Sequence, residues 1–165
     1  MAVLTDAIVA ATAGFAGTKM MEQVASRLVA MQPDTDQQRE EEVRPGPPFV
    51  LAACNLAEHV LGVELGQDQQ MKVGMAFHHG AGLTWAPLYH LLRRRTSLGP
   101  VAAGLVTGAS QSLLLDELIT PAIGASAPNR AYPASTHLRG LAAHLAYGLG
   151  IAAVTETVWK ATGKD

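Results

Sequence analysis

Sixteen consecutive uncharged residues, "PVAAGLVTGASQSLLL" (Pro100–Leu115), end at two adjacent acids, Asp116 and Glu117. A run of this kind leaves few folds open. A helix rising 1.5 Å per residue needs about twenty apolar residues to cross about 30 Å of hydrocarbon, and in lipid its backbone groups have to be satisfied from within the chain. Four segments have that length and apolar bulk, at about 5–31, 73–92, 98–120 and 138–159. No strand-like alternation competes with them. The expected fold is all-α, a four-transmembrane-helix bundle forming one integral membrane domain over residues 1–165. Its rival is a soluble four-helix bundle, because the first segment carries Lys19, Glu22 and Arg27. The third and fourth segments lack the wide polar face that a surface helix turns to water.

The connections support the same division. "QPDTDQQREEEVRPGPP" (Gln32–Pro48) reads as an acidic, proline-rich connection, "RRRTSLGP" (Arg93–Pro100) as a tight basic turn, and "PAIGASAPNRAYPAST" (Pro121–Thr136) as a loop rich in Pro, Ala and Ser. Between spans 1 and 2, residues about 48–62 repeat apolar positions at three and four, for too few turns to cross. An extra interfacial amphipathic helix is expected there, started by Pro47 and Pro48. The spacing of Gly104 and Gly108 in "GLVTG" lets helices approach closely in lipid. Arg93, Arg94 and Arg95 in one short turn, with Lys160 and Lys164 after the last span, favour cytoplasmic termini.

Composition excludes several classes. Charged residues make up 16% of the chain, below the roughly 25% of soluble domains. The net charge of −2 with scattered basic residues gives no footprint for nucleic acid. A single cysteine, Cys54, rules out an internal disulfide and a Cys-based zinc cluster. The N-terminus carries Asp6 and no basic n-region, so it reads as the start of the first helix rather than a signal peptide.

Counting inward from the outer end of each helix brings Glu22, His78, His79, Glu117 and His144 to similar depths. Thr12, Lys19, Glu22, Gln23 and Ser26 share a stripe on the first span, and His137, His144 and Tyr147 share one on the fourth. Such stripes are expected to turn inward. On this reading Glu117 meets the imidazoles of spans 2 and 4, Asp116 lies nearer the headgroups, and Lys19 pairs with Glu22. Trp85, Tyr89 and Trp159 read as belt or packing aromatics, and Glu156 as the partner of Lys160 four residues on.

The runs "FHHGAGLTWAPLYHLL", "DELITPAIG" and "HLRGLAAHLAYGLGIAAVTE" resemble the YagU-like family of bacterial inner-membrane proteins. The matching residues are His79, Gly80 and Tyr89, then Glu117, Pro121 and Gly124, then His144, Gly148 and Glu156, over about 73–157. Asp116 departs from the family, where the residue before the acid is often His. The resemblance implies a multi-pass inner-membrane location and four helices, and no reaction.

For the cluster, an interhelical polar network that locks helices together stands beside a functional site. The functional readings are a proton-responsive or transport site, with a role in envelope, proton or ion homeostasis or as an accessory subunit, and a metal site holding a divalent transition metal such as Zn, Mn or Fe. A membrane metalloenzyme is the alternative, although no HExxH, GxSxG or P-loop motif is present. The expected partners are the lipid bilayer and either further copies of the chain or a larger membrane complex.

Overall fold

The computed structural model describes residues 2–163, and its regular structure is helical throughout. Lys164 lies outside the described residues. In chain order the elements are α1 (Ala2–Ala30), α2 (Asp34–Val43), α3 (Pro48–Leu61), α4 (Gln67–Arg95) and α5 (Pro100–Gln111). A π-helix, Ser112–Ile119, continues α5 into the single turn α6 (Thr120–Ala122). A 3-10 turn, Asn129–Ala131, then precedes α7 (Ala134–Thr162). Pro48 and Pro100 occupy first-turn positions, where a missing N–H removes no helical hydrogen bond. Gly62 ends α3 and Gly163 ends α7 with φ of 66° and 63°, a conformation costly for any residue with a Cβ.

Four rods form an up-down-up-down square. α7 packs on α1 and α5, and α4 closes the square by packing on the same two helices; α3 lies along α4. At one end, Arg94 pairs with Asp6 at 2.8 Å and Arg93 pairs with Glu156 at 2.7 Å. The opposite end carries α2 and α3.

Small residues set the helix spacing. A Cβ on Gly104 would lie 2.7 Å from the Gly148 carbonyl oxygen, and one on Gly17 would lie 2.7 Å from that of Tyr147. The Gly104–Gly108 spacing thus seats α5 directly on the α7 backbone. The inward face of α1 is Ala10, Ala13, Gly17, Thr18 and Met21. Thr12, Gln23 and Ser26, expected to turn inward, are exposed, because close approach to α7 requires the small face there.

The interior combines small apolar residues, mostly Ala, with several polar side chains, while many large apolar side chains lie outside. The largest fully buried side chains are Tyr89, Tyr147, Ile151, Gln111, Thr18, Thr107, Thr155 and Ser112. Thr18 and Thr107 donate to the carbonyls of Gly14 and Ala103 at 2.9 and 2.8 Å, so their hydroxyls are satisfied within their own helices. Leu4, Ile8, Phe15, Leu91, Val101, Leu113, Leu118 and Leu138 all face outward. Among the described residues one helix, α7, is by itself long and apolar enough to cross a membrane, and half of its most apolar stretch is buried.

Tyr89 and Trp159, expected as belt or packing aromatics, are buried in the packing. Two further expectations are corrected. The Gln32–Pro48 connection contains α2, whose Glu40 is 4% exposed. Glu156 bonds to Arg93 and accepts from the Tyr89 hydroxyl at 2.7 Å, instead of pairing with Lys160. Its helix face points into the bundle toward α4, where the bidentate guanidinium outcompetes a surface ammonium.

Candidate functional site

Three histidine–carboxylate pairs stand at the end of the bundle where α1 and α6 finish and α4 and α7 begin. The first joins α1 to α4. Lys19 Nζ donates to Glu22 Oε2 at 2.8 Å, while Glu22 Oε1 lies 3.3 Å from His78 Nε2 and 3.8 Å from His79 Nε2. Glu22 Oε1 and His79 Nδ1 are buried without a hydrogen-bond partner among the described residues.

The second pair joins α7 to the third rod. His144 Nε2 lies 2.8 Å from Asp116 Oδ2, and its Nδ1 lies 3.1 Å from Gln111 Oε1. Gln111 and Asp116 are five residues apart, one turn of a π-helix, so both reach the same imidazole. Here the structure corrects the expectation that Glu117 would meet His144 and Asp116 would lie apart. An unbroken α-helix turns by about 100° per residue, and the expectation assumed that winding through Glu117. The wider π turn rotates each residue by less, bringing Asp116 onto the face of Gln111 and swinging Glu117 away.

Glu117 instead forms the third pair. Its Oε1 lies 2.7 Å from His137 Nδ1, and His137 Nε2 faces the Asn129 carbonyl at 3.0 Å. Asn129 donates back to the Glu117 carbonyl at 2.7 Å, which ties the loop before α7 to the third rod. With oxygen acceptors at both ring nitrogens, His137 donates twice, as an imidazolium. Burial pulls its pKa down, but the Glu117 carboxylate and Asn129 carbonyl outweigh that and raise it above 6.5.

Two cavities meet at this layer. The first, about 250 Å³, lies beneath α3 and is lined by Phe49, Phe77, His78, Gln111, Asp116 and His144 among others. The second, about 200 Å³, is lined by Arg44, Glu117, Asn129, Tyr132, His137 and Arg139, again with Asp116. Pro48, Asp116 and Thr120 line both, so Asp116 stands in the partition. Above the second cavity, Glu40 accepts from Thr136 at 2.7 Å and pairs with Arg139 at 2.7 Å and with Arg44. Burial and the neighbouring Arg139 charge hold the Arg44 pKa below its ordinary value.

Of the residues singled out from the sequence, the structure brings Lys19, Glu22, His78 and His79 together on one side. It brings His144 to the same cavity as His78, with Asp116 rather than Glu117 as its carboxylate. Tyr147 lies inside the helix packing and donates to the Gly82 carbonyl at 2.5 Å. The carboxylates are divided among three places, and no group of three His, Cys, Asp or Glu side chains among the described residues is arranged to hold a metal ion. Three participants were missed. Gln111 was an amide hidden in an uncharged run, His137 was placed on a stripe without a partner, and Glu40 was lost in an acidic connection. A lone amide inside so apolar a run is the signal that marks Gln111. No family model, curated protein or solved structure matches the chain.

Proposed function

We propose that this chain is a four-span protein of the bacterial inner membrane, with cytoplasmic termini, whose His/carboxylate layer takes up and releases protons at the outer end of the bundle in proton or ion homeostasis. The observation that carries the reading is the His144–Asp116–Gln111 group, set between two cavities inside a bundle that exposes many large apolar side chains and buries small residues together with several polar ones. In water such a distribution is unfavourable; in lipid it is the arrangement that satisfies both surfaces. Arg93–Arg95 at the opposite end sets the orientation, and the YagU-like resemblance over 73–157 agrees with the location.

The chemistry follows from the groups. An imidazole titrates near physiological pH, and beside a carboxylate its protonated form is balanced rather than left as a bare charge in low dielectric. Gln111 presents its oxygen to His144 Nδ1 as an acceptor for the ring N–H. Asp116, reaching both cavities, connects His144 to the outer one.

In proteoliposomes carrying a pH-sensitive dye, the wild-type chain should relax an imposed pH difference faster than empty vesicles. His144→Gln and Asp116→Asn should each slow this several-fold, and Glu117→Gln should slow it less. Identical rates for wild type and both variants would remove the site from the function.

A further inference from the structure

The cavity beneath α3 has walls and an end of different chemistry. Phe49, Ala52, Phe77, Leu115, Ile119 and Ile123 make the walls. Gln111, Asp116, His144 and His78 make the end. Gln111 is 2% exposed and its oxygen faces His144, while its NH₂ group makes no hydrogen bond among the described residues. That unused donor is not sealed in the packing and Gln111 lines the cavity, so a ligand inside can accept from it. Asp116 engages His144 through Oδ2, which leaves Oδ1 as an acceptor in the lining of the same cavity. Phe77, Ile119 and Ile123 are each more than a third exposed, so the cavity lining continues onto the outer surface of the bundle.

We infer that this cavity binds the ring head of a membrane-soluble quinone or quinol, with Gln111 donating to a ring carbonyl and Asp116 accepting from a ring hydroxyl. The inference rests on the lipid-embedded reading above and names a ligand for the same pocket. An ammonium head is opposed by the Gln111 donors, and a carboxylate head by Asp116; a neutral ring oxygen satisfies both. At about 250 Å³ the cavity is smaller than the roughly 300–1,000 Å³ pockets of drug-sized ligands, so it takes a head of one or two rings and leaves any tail in the lipid. The aromatic side of the slot is formed by Phe49 against the His78 ring, with centroids 5.6 Å apart.

The test is calorimetric titration of duroquinone into the chain in lipid nanodiscs, with empty nanodiscs subtracted. The ring of duroquinone is fully methylated, which keeps the free thiol of Cys54 from adding to it. Wild type should bind saturably at one site. Gln111→Leu, which removes the donor, should weaken binding about tenfold, equivalent to roughly 1.4 kcal/mol. Ala52→Leu fills the wall and alters none of the polar groups, and should weaken binding at least as much. No saturable binding to wild type, or unchanged binding in Ala52→Leu, overturns the inference. The vesicle assay on the same preparations separates the two readings. Absent duroquinone binding with His144-dependent proton movement intact removes the ligand alone, whereas loss of that movement in wild type removes the functional reading with it.

Discussion

At the residue scale, the adjacent acids Asp116 and Glu117 each take a different histidine of α7, and the two pairs have different surroundings. His137 has both nitrogens on oxygen acceptors and a raised pKa. A group whose folded pKa exceeds its unfolded value contributes stability that is complete below the unfolded value, 6.5 here, and is lost as pH rises through the folded value. The apparent Tm of the detergent-solubilised chain should therefore fall on the alkaline side of 6.5, and His137→Gln should flatten that limb. A slope unchanged in His137→Gln would show that the loop junction does not depend on this imidazolium.

At the scale of elements, the π-helix Ser112–Ile119 decides which acid faces the bundle. π segments inside α-helices often mark functional positions. Deleting Leu114, an exposed residue in this segment, should restore α winding and rotate the following residues by about 100°. His144 should then lose Asp116, seen as a changed imidazole nitrogen resonance in histidine-labelled protein while helical circular dichroism is kept. An unaltered His144 resonance would mean that the winding is not what sets the pair. This element also shows what was legible in the sequence. Helix positions were readable, because the apolar length and the prolines at Pro48 and Pro100 act locally. The facing of Asp116 was not, because the π turn appears in no residue type and changes the angular count that the reading assumed. The Thr12–Ser26 stripe misled for a related reason. Polar spacing marks one face of a helix, but the small residues Ala13 and Gly17 on another face allowed the closer packing. Glu40 was illegible because its partners, Arg139 and Thr136, come from α7, far along the chain.

At the scale of the whole molecule, outward Leu, Ile, Phe and Val side chains surround an Ala-rich interior that also holds Tyr, Thr, Gln and Ser. The chain should stay with membranes through alkaline carbonate extraction, because burying that face in lipid exceeds what a peripheral anchor supplies. Single cysteines placed at Ser97 and Thr35 in a Cys54→Ala background should label from opposite sides. A monodisperse protein in detergent-free buffer, or labelling of both cysteines from one side, would end the four-span reading.

The central position of α7 has a consequence for the order in which the protein is made. This helix is made after the other three rods, yet it supplies His144 to Asp116, His137 to Glu117, and Arg139 to Glu40. Until α7 is made these carboxylates have no basic partner from it, and α1 and α5 have only α4 to pack on. These carboxylates therefore gain their α7 partners only after that helix has been made. Truncation before α7 should yield a fragment bound for degradation rather than a smaller bundle.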